Sequence, residues 1–298
     1  MARRDGFSSY HPLVNFLFFA LVIAFSMFLM HPVCLAVSFF CAAAYALCLN
    51  GRKALRLQLR FLLPTLFFTA VLNPAFNHAG VTVLAYLPSG SPLTLESILY
   101  GLAAAVMLCT VVNWFTCYTA VMTSDKFVYL FGRVIPALSL VLSMTLRLIP
   151  RFRRQFRAVR QTQASLGRDV SAGPLPQRLK NAAAILSILV TWSLENAIET
   201  ADSMKSRGYG LPGRTAFSIY RFDARDKAAL IWLILCGVGL ALGCAAGGFA
   251  WRYFPAAEGA GLSPLSLCLQ LGYLALCLTP LMLNGKEALA WKRSRCAA

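Results

Sequence analysis

The stretch Arg147-Leu-Ile-Pro-Arg-Phe-Arg-Arg-Gln-Phe-Arg-Ala-Val-Arg160 is strongly basic and lies between two long apolar blocks. It opens a segment from Arg147 to Gly210 that holds eleven Lys and Arg residues against four acids. Two sets of residues recur at helical spacing in it, a basic set of Arg151, Arg154, Arg157 and Arg160 and an apolar set of Phe152, Phe156 and Val159. This pattern predicts an amphipathic helix with one basic face and one apolar face.

The composition of the whole chain is typical of a membrane protein. Its 298 residues are 58% hydrophobic and 13% charged, with a mean hydropathy of +0.65, whereas soluble domains are about 25% charged. A net charge of +17 in a soluble protein would suggest a nucleic-acid partner. Here the basic residues cluster between apolar blocks, so the positive-inside rule explains them and no nucleic-acid partner is expected.

Six apolar segments are predicted to span the bilayer, because each is close to the length that a membrane helix needs. They are residues 13–30, 32–49, 57–72, 95–122, 228–249 and 262–283. Between the third and fourth segments, residues 73–92 are expected to form a loop with a short hairpin or a re-entrant piece. The sequence therefore predicts an all-α membrane protein of about six transmembrane helices with a large cytoplasmic helical insertion.

The distribution of basic residues predicts the orientation of these spans. With both termini and residues 125–226 in the cytoplasm, 27 of the 28 Lys and Arg residues lie inside and only Arg252 lies outside. This asymmetry indicates a multi-pass protein embedded in the lipid bilayer with the basic segment inside. The cell (plasma) membrane is its expected location. The apolar stretch 127–149 is expected to lie shallow or to dip from the inner side, because a full crossing would carry the basic segment outside. The chain is thus divided into residues 1–124, 125–226 and 227–298.

Two helix ends in the basic segment have similar sequences. Residues 177–206 are predicted to form a second long helix that ends at Ser206-Arg207-Gly208, and the first helix ends at Ser165-Leu166-Gly167-Arg168. Glycine just after a helix and a cation in its last turn stabilise the helix by themselves. An exposed arginine at such an end is also suited to an acidic groove, where it makes charge-assisted bonds.

No catalytic residue, metal site or cofactor is predicted. The three histidines, His11, His31 and His78, have no carboxylate nearby in the sequence and are interpreted as residues at the ends of membrane spans. There is no phosphate-binding loop motif. The ten cysteines contain no C-x-x-C pair and nine of them lie in apolar runs, so they are expected to be free thiols that pack as small apolar groups.

In the fifth span, Gly239, Gly243 and Gly247 are spaced by four residues. Small residues at this spacing let two membrane helices approach closely. The pattern predicts one face of the helix that packs against another helix of this chain.

Several function classes fit a basic membrane protein of this kind. A stand-alone channel or secondary carrier is disfavoured, since coupled carriers use ionisable groups within the membrane and no acid lies in the core of a span here. A permease of a classical ABC importer and a membrane enzyme of lipid metabolism remain as alternatives, the latter without a His/Asp cluster to support it.

Several motifs, taken in order, resemble the transmembrane T component of energy-coupling factor (ECF) transporters, which are ABC-type importers of vitamins and metal ions. They are His11-Pro12-Leu13, Asn73-Pro74-x-Phe76-Asn77-His78, Met122-Thr-Ser-Asp125-Lys126-Phe127, Arg147-x-x-Pro150-Arg151-Phe152 and the two helix ends. The family's helix ends typically read Ala-Arg-Gly. Ser206-Arg207-Gly208 matches closely, whereas Ser165-Leu166-Gly167 departs from it and carries its arginine at Arg168.

The resemblance implies a non-enzymatic energy-coupling subunit that joins two ATP-binding cassette ATPase subunits to a small substrate-binding membrane subunit. The helix ends at 165–168 and 206–208 are then the expected ATPase contacts. The expected contacts with the substrate-binding subunit are Phe152, Phe156, Leu186 and Leu189. The cargo, a vitamin or a metal ion such as cobalt or nickel, is recognised in this family by the other chain and is not specified by this sequence.

Overall fold

The computed structural model describes residues 5–77, 80–86, 92–132, 135–171, 173–212, 220–255, 258–259 and 263–296. The chain forms two compact units. The membrane unit comprises Met1–Lys126 and Tyr220–Ala298, and the basic unit comprises Phe127–Ile219. The insertion predicted from the sequence, residues 125–226, begins and ends a few residues away from these junctions.

The described part of the membrane unit is built mainly from helices. They are α1 (Pro12–Phe28), α2 (Pro32–Asn50), α3 (Arg52–Leu57), α4 (Leu63–Phe76), α5 (Leu95–Val121), α9 (Ala224–Ala245) and α10 (Pro264–Cys296). A short 3₁₀ helix, Phe7–Ser9, precedes α1. The helix α6 (Ser124–Gly132) crosses the junction, and α7 (Pro136–Ser165) and α8 (Leu175–Ser206) form the rest of the basic unit.

The first two helices begin in the same way. The Nδ1 atoms of His11 and His31 accept hydrogen bonds from the backbone amides two residues later, each at 3.3 Å, and proline follows each histidine in the first helical turn. Proline suits this turn because its missing N–H has no partner there in any helix. These two histidines are therefore N-caps at span ends, and His78 lies outside the described residues.

The third span continues through a π-helical segment. Gln58–Leu62 joins α3 to α4, so that one run from Ala54 to Phe76 is long enough to cross a membrane. It begins before and ends after the predicted 57–72. Arg60 lies in the π-helical segment, near the start of the run, where a long cationic side chain can extend to the interface.

The predicted hairpin is present between the third and fourth spans. Strand β1 (Val83–Tyr86) pairs antiparallel with β2 (Pro92–Thr94), and Tyr86 faces Pro92 in the register. A second two-stranded pair, β3 (Trp251–Arg252) with β4 (Glu258–Gly259), follows α9.

Aromatic side chains and hydroxyl groups fill the core of the membrane unit. Trp114, Tyr45 and Tyr273 are among its largest fully buried side chains. Ser38 Oγ accepts from Trp114 Nε1 at 3.0 Å and lies 2.8 Å from Ser26 Oγ, which in turn lies 3.0 Å from the Tyr273 hydroxyl. These four buried polar groups, one on each of α1, α2, α5 and α10, are thus paired with one another, as a low-dielectric interior favours.

The glycine prediction for the fifth span is correct at one position only. A Cβ at Gly243 would overlap the side chain of Leu269 on α10, so this glycine does allow close packing. Gly239 has open space around it, and Gly247 lies beyond the end of α9. Gly237 faces α1 instead, where a Cβ would lie 3.1 Å from the side chain of Leu21. Contacts on two sides of α9 replace the single predicted face.

Six of the described helices are long and apolar enough to cross a membrane. Five of them, Pro32–Asn50, Ala54–Phe76, Leu95–Val121, Ala224–Ala245 and Pro264–Glu287, correspond to predicted spans. The sixth is α8, which the charge pattern of the sequence assigns to the cytoplasmic insertion. The remaining predicted span, residues 13–30, corresponds to α1, a shorter apolar helix of 17 residues. The apolar stretch from Ala182 to Leu194 accounts for the hydropathy of α8.

The nine cysteines whose side chains the structure describes are free. Cys34, Cys41, Cys117 and Cys277 are buried in the apolar core, as expected. Cys109 is also buried, and its thiol donates to the carbonyl of Leu62 at 3.4 Å.

Candidate functional site

The two long helices of the basic unit form an antiparallel pair. The rings of Phe152 on α7 and Trp192 on α8 lie 6.3 Å apart, and the guanidinium of Arg151 lies 5.5 Å from the Trp192 ring centre. At the other end, the start of α8 contacts the linker that follows α7. The predicted amphipathic helix is thus the second half of a longer one, since α7 begins at Pro136 and continues through Pro150.

The linker between the two helices is held by hydrogen bonds to α8. Arg178 Nε donates to the carbonyl of Val170 at 2.8 Å, and Asn181 Nδ2 donates to that of Asp169 at 3.0 Å. The carboxylate of Asp169 accepts from the Ser171 hydroxyl and amide, which lowers the pKa of this carboxyl, with a smaller contribution from Arg160. The start of α8 is thereby fixed next to the end of α7.

The end of α7 has the hydrogen-bond pattern of a Schellman motif. The amide of Arg168 donates to the carbonyl of Gln163 at 2.9 Å, and that of Gly167 donates to Ala164 at 3.0 Å. Gly167 has φ +73°, a left-handed conformation that glycine adopts without steric cost. The hydroxyl of Ser165 donates to the carbonyl of Thr162 at 2.8 Å.

The end of α8 repeats this pattern almost bond for bond. The amide of Tyr209 donates to Met204 at 3.0 Å, and that of Gly208 donates to Lys205 at 3.0 Å. Gly208 has φ +77°. The Ser206 hydroxyl donates one turn back, to the carbonyl of Ser203, at 2.9 Å.

The shared geometry defines which residues correspond at the two ends. Ser165 matches Ser206, Leu166 matches Arg207, Gly167 matches Gly208 and Arg168 matches Tyr209. The position that holds Arg207 in α8 is thus occupied in α7 by Leu166, a side chain 65% exposed. Arg168 stands three residues beyond the end of its helix and does not occupy the equivalent of position 207.

Arg207 is exposed, and within the described part of the chain its guanidinium has neither a hydrogen-bond partner nor an ion pair. Its five N–H donors are therefore available to another molecule. The two helix ends are far apart, because α8 starts beside the end of α7 and is 32 residues long. At 1.5 Å per residue, about 45 Å separates them.

A cavity of about 430 Å³ lies between α7 and α8. Its lining consists of apolar side chains with two arginines and a serine: Phe152, Phe156, Arg160, Val170, Ser171, Arg178, Ala182, Ile185, Leu186 and Leu189. The structure thus brings together all four residues that the sequence pattern and the resemblance assign to a subunit contact.

These four residues differ in accessibility. Leu189 is only 2% exposed and forms the floor of the cavity together with Ile185, whereas Leu186 is 60% exposed at its rim. Phe156 is exposed and Phe152 is half-buried. Only the rim is accessible to a partner.

Two residues of this pair of helices, Ile185 and Trp192, were not identified from the sequence. With Leu189 they recur at i, i+4 and i+7, the spacing of one helix face. This signal was present in the sequence of α8 but was obscured by the overall apolar character of residues 182–194.

Comparisons with known proteins give the following matches. The family model of the cobalt transport protein CbiQ matches residues 8–217. The energy-coupling factor transporter transmembrane protein EcfT of Lactobacillus helveticus is 36% identical over 114 residues, 38% of this chain and 41% of the relative. EcfT of Exiguobacterium sibiricum is 33% identical over 113 residues, 38% of this chain and 42% of the relative. EcfT of Bacillus subtilis is 30% identical over 99 residues, 33% of this chain and 37% of the relative. The chain matches about two fifths of the length of these curated relatives.

Proposed function

The chain belongs to the CbiQ family of cobalt transport proteins, and on that premise we propose that it is the non-catalytic energy-coupling subunit of an ECF-type importer. Its curated relatives are named as transmembrane proteins of energy-coupling factor transporters. In this proposal it joins two ATP-binding cassette ATPase subunits to a small substrate-binding membrane subunit. The cargo is a vitamin or a metal ion that the substrate-binding subunit recognises.

The observation that supports the proposal best is the pair of matched helix ends. At the C-terminal ends of α7 and α8, Leu166 and Arg207 are exposed at the same position of the same type of cap. A small domain is about 30 Å across and the ends are about 45 Å apart. One small domain would not reach both ends, whereas two ATPase subunits side by side would each meet one.

Arg207 is the proposed anchor of one ATPase contact. Its planar guanidinium makes paired hydrogen bonds to a carboxylate, and Gly208 turns the chain away so that the side chain projects from the helix end. The other end offers Leu166, an apolar contact, with Ser165, Gly167 and Arg168 around it. The two ATPase contacts are therefore unequal in chemistry.

The rim of the cavity between α7 and α8 is the proposed contact for the substrate-binding subunit. Phe156 and Leu186 present exposed apolar area there, which suits another membrane protein rather than water. Leu189 supports the rim from below, and Phe152 packs between the helices, so these two act through the shape of the cavity.

The basic unit is proposed to lie at the cytoplasmic surface of the plasma membrane, with both termini also inside. If α8 crossed the bilayer, Arg147–Arg168 and Arg207–Arg225 would lie on opposite sides, against the positive-inside rule. An α8 that rests its apolar face on the membrane interface accommodates both its hydropathy and the charges around it.

Cysteine labelling with an impermeant reagent tests this topology. A cysteine at Ser89, which lies outside the described residues, is expected to react from the external side of intact cells. A cysteine at Ser171, in the linker between α7 and α8, is expected to react only after the cells are opened. The reverse pattern would contradict the proposed orientation.

The whole proposal is tested by extraction in a mild detergent followed by identification of the proteins that remain bound. The expected partners are two ATPase subunits per chain and one small membrane protein. Recovery with ATPase subunits alone, together with cargo bound by this chain itself, would favour the classical ABC permease. Transport by the isolated chain would favour the channel or carrier and would contradict the proposal.

A further inference from the structure

Within the membrane unit, the residue that precedes the basic unit contacts the N-terminal segment of the chain. Lys126, the last residue before that unit, is only 7% exposed, although lysine is almost never buried unless it is paired. Its ammonium group donates to the backbone carbonyls of Ser8 and Val121, the latter at 3.1 Å. With the Asn15 amide oriented to satisfy both of its ends, Asn15 Oδ1 accepts the third bond at 3.1 Å.

All three donors of the lysine are thus used. Burial lowers the pKa of Lys126, and the nearby Asp5 opposes this. The geometry is specific for lysine because it needs three donors at one point on a long side chain.

The other junction, where the chain returns from the basic unit, meets the same N-terminal segment. The backbone amide of His11 donates to Asp226 Oδ1 at 3.0 Å. The ring of Phe222 lies edge-on to that of His11 at 5.0 Å, and Tyr220 contacts the same imidazole at 6.5 Å. Arg225 lies over the ring of Tyr10 at 5.7 Å.

The N-terminal segment is itself fastened to the membrane helices. Phe7 is fully buried in the aromatic core, and its amide donates to Asn284 Oδ1 of α10 at 3.1 Å. The Tyr45 hydroxyl of α2 donates to Asp5 Oδ2 at 3.0 Å, and the Asn284 amide also donates to Asp5. Asp226 meanwhile completes the N-terminal capping box of α9.

We propose that residues Asp5–Asn15 form a clamp that holds both junctions of the basic unit against the membrane helices and thereby positions them to receive its movement. This inference rests on the proposed coupling function. The basic unit transmits motion to the membrane helices only if the junctions between them are rigid. Loose junctions at Lys126 and Tyr220 would absorb displacement of α7 and α8 by local bending.

The clamp also gives a common role to two of the sequence motifs, His11-Pro12 and Asp125-Lys126. They lie more than a hundred residues apart and meet on the same short segment. Neither motif includes residues of the helix ends at 165–168 or 206–209, so the clamp and the ATPase contacts can be altered separately.

Hydrogen–deuterium exchange of the native complex, extracted with its partners into nanodiscs, tests the clamp in two steps. The first step compares Lys126→Met with Lys227→Met, which removes an exposed lysine near the second junction. Loss of the buried hydrogen bonds in Lys126→Met is expected to speed exchange of the amides at residues 7–11 by about tenfold. Lys227→Met is expected to leave those rates unchanged. Equal rates in both variants would overturn the clamp.

The second step adds Mg-ATP or a non-hydrolysable ATP analogue and follows changes in exchange at the ends of α7 and α8 and in α1. In Lys126→Met the response at the helix ends is expected to persist while that in α1 is reduced several-fold. An unchanged response in α1 would overturn the positioning role and leave the coupling function standing. Absence of any nucleotide response at the helix ends of the parent complex would instead refute the coupling function.

A second variant covers the case in which Lys126→Met does not fold. Phe222→Ala removes a half-exposed ring from the second junction and leaves the hydrogen bonds of Lys126 and Asp226 in place. It is expected to reduce the nucleotide response of α1 by about twofold, in keeping with the loss of one aromatic contact. The yield of the complex and the response at the helix ends are expected to equal those of the parent. A response identical to that of the parent would contradict a clamp at this junction.

Discussion

The membrane unit and the basic unit differ in what their polar side chains contact. In the membrane unit, Ser38, Trp114 and Tyr273 are buried and hydrogen-bonded to one another. In the basic unit, Leu186 is exposed and Arg207 projects without a partner from the described chain. Buried polar side chains stabilise the membrane unit, whereas in the proposed function an exposed side chain such as Arg207 of the basic unit contacts a partner protein. Substitutions should therefore affect stability in the first unit and binding in the second.

The largest effect is expected at Arg207. Arg207→Ala should weaken ATPase association by about 2–5 kcal/mol, the cost of removing one member of a buried charge pair. Arg207→Lys should also be impaired, because lysine keeps the charge but lacks the planar fork. The affinity between the purified chain and its ATPase subunits measures the loss of binding. The melting temperature of the chain alone shows whether its stability changes as well.

Lys205→Ala is the matched control for Arg207, since it removes an exposed cation from the last turn of the same helix. It should reduce affinity far less. If Arg207→Ala binds like the parent, or if both variants melt earlier by the same amount, then Arg207 serves only as a helix cap and the comparison between the units fails at this site.

The next effect is expected in the membrane unit, at Gly243. Gly243→Leu would force α9 away from Leu269 of α10 and should destabilise the unit by about 1–3 kcal/mol through overpacking. Gly239→Leu, four residues earlier in the same helix, faces open space and should leave the melting temperature close to that of the parent. Equal melting of the two variants would show that the α9–α10 contact carries little stability.

Glycine at the two helix ends gives a smaller effect that tests their equivalence. Gly167→Ala and Gly208→Ala each place a side chain in the left-handed region, at a cost of about 1–2 kcal/mol to that helix end. Faster exchange of the Arg168 and Tyr209 amides, which close the two caps, should report the change. A large difference between the two variants would contradict the shared cap geometry.

Acid should weaken the start of α2 by about 1 kcal/mol, the usual value of an N-cap. Burial lowers the pKa of His31, and its unprotonated Nδ1 accepts the cap hydrogen bond from Val33. A group with a lowered folded pKa contributes stability that is present above its unfolded value of about 6.5 and lost as the pH falls through the folded value. Melting of the parent between pH 7.5 and 5 should therefore show a loss that His31→Asn, a cap without this titration, does not show.

The smallest effect is expected at the first helix end. Leu166→Ala removes an exposed apolar side chain and should change the stability of the chain by less than about 0.5 kcal/mol. Its ATPase affinity should fall less than that of Arg207→Ala, because no charge is lost. Arg168→Ala in the same assay shows whether the displaced arginine contributes. A loss at Leu166 as large as that at Arg207 would contradict the expectation that the charged contact contributes more to binding than the apolar one.

Much of the fold could be predicted from local patterns in the sequence. Apolar length predicts five of the spans, and the glycines at 167 and 208 mark the ends of α7 and α8. The Gly- and Pro-rich region after the third span predicts a loop with a hairpin or a re-entrant piece, and the structure shows the hairpin. The i, i+4 spacing of Phe152 and Phe156 places them on one face of a helix, and the structure brings them together with Leu186 and Leu189. These features depend on residues within a few turns of one another, which is why the sequence alone reveals them.

Other features depend on contacts between helices that are far apart in the sequence. Spacing by four describes Gly239 and Gly243 equally, yet only Gly243 faces α10, because the neighbours of α9 select the contact side. The apolar run at residues 182–194 of α8 obscures the spacing that separates the buried Leu189 from the exposed Leu186. Burial of Lys126 depends on carbonyls of residues 8 and 121 and on Asn15. Hydrophobic periodicity determines which side of a helix is apolar, whereas the packing of the whole chain determines what that side touches.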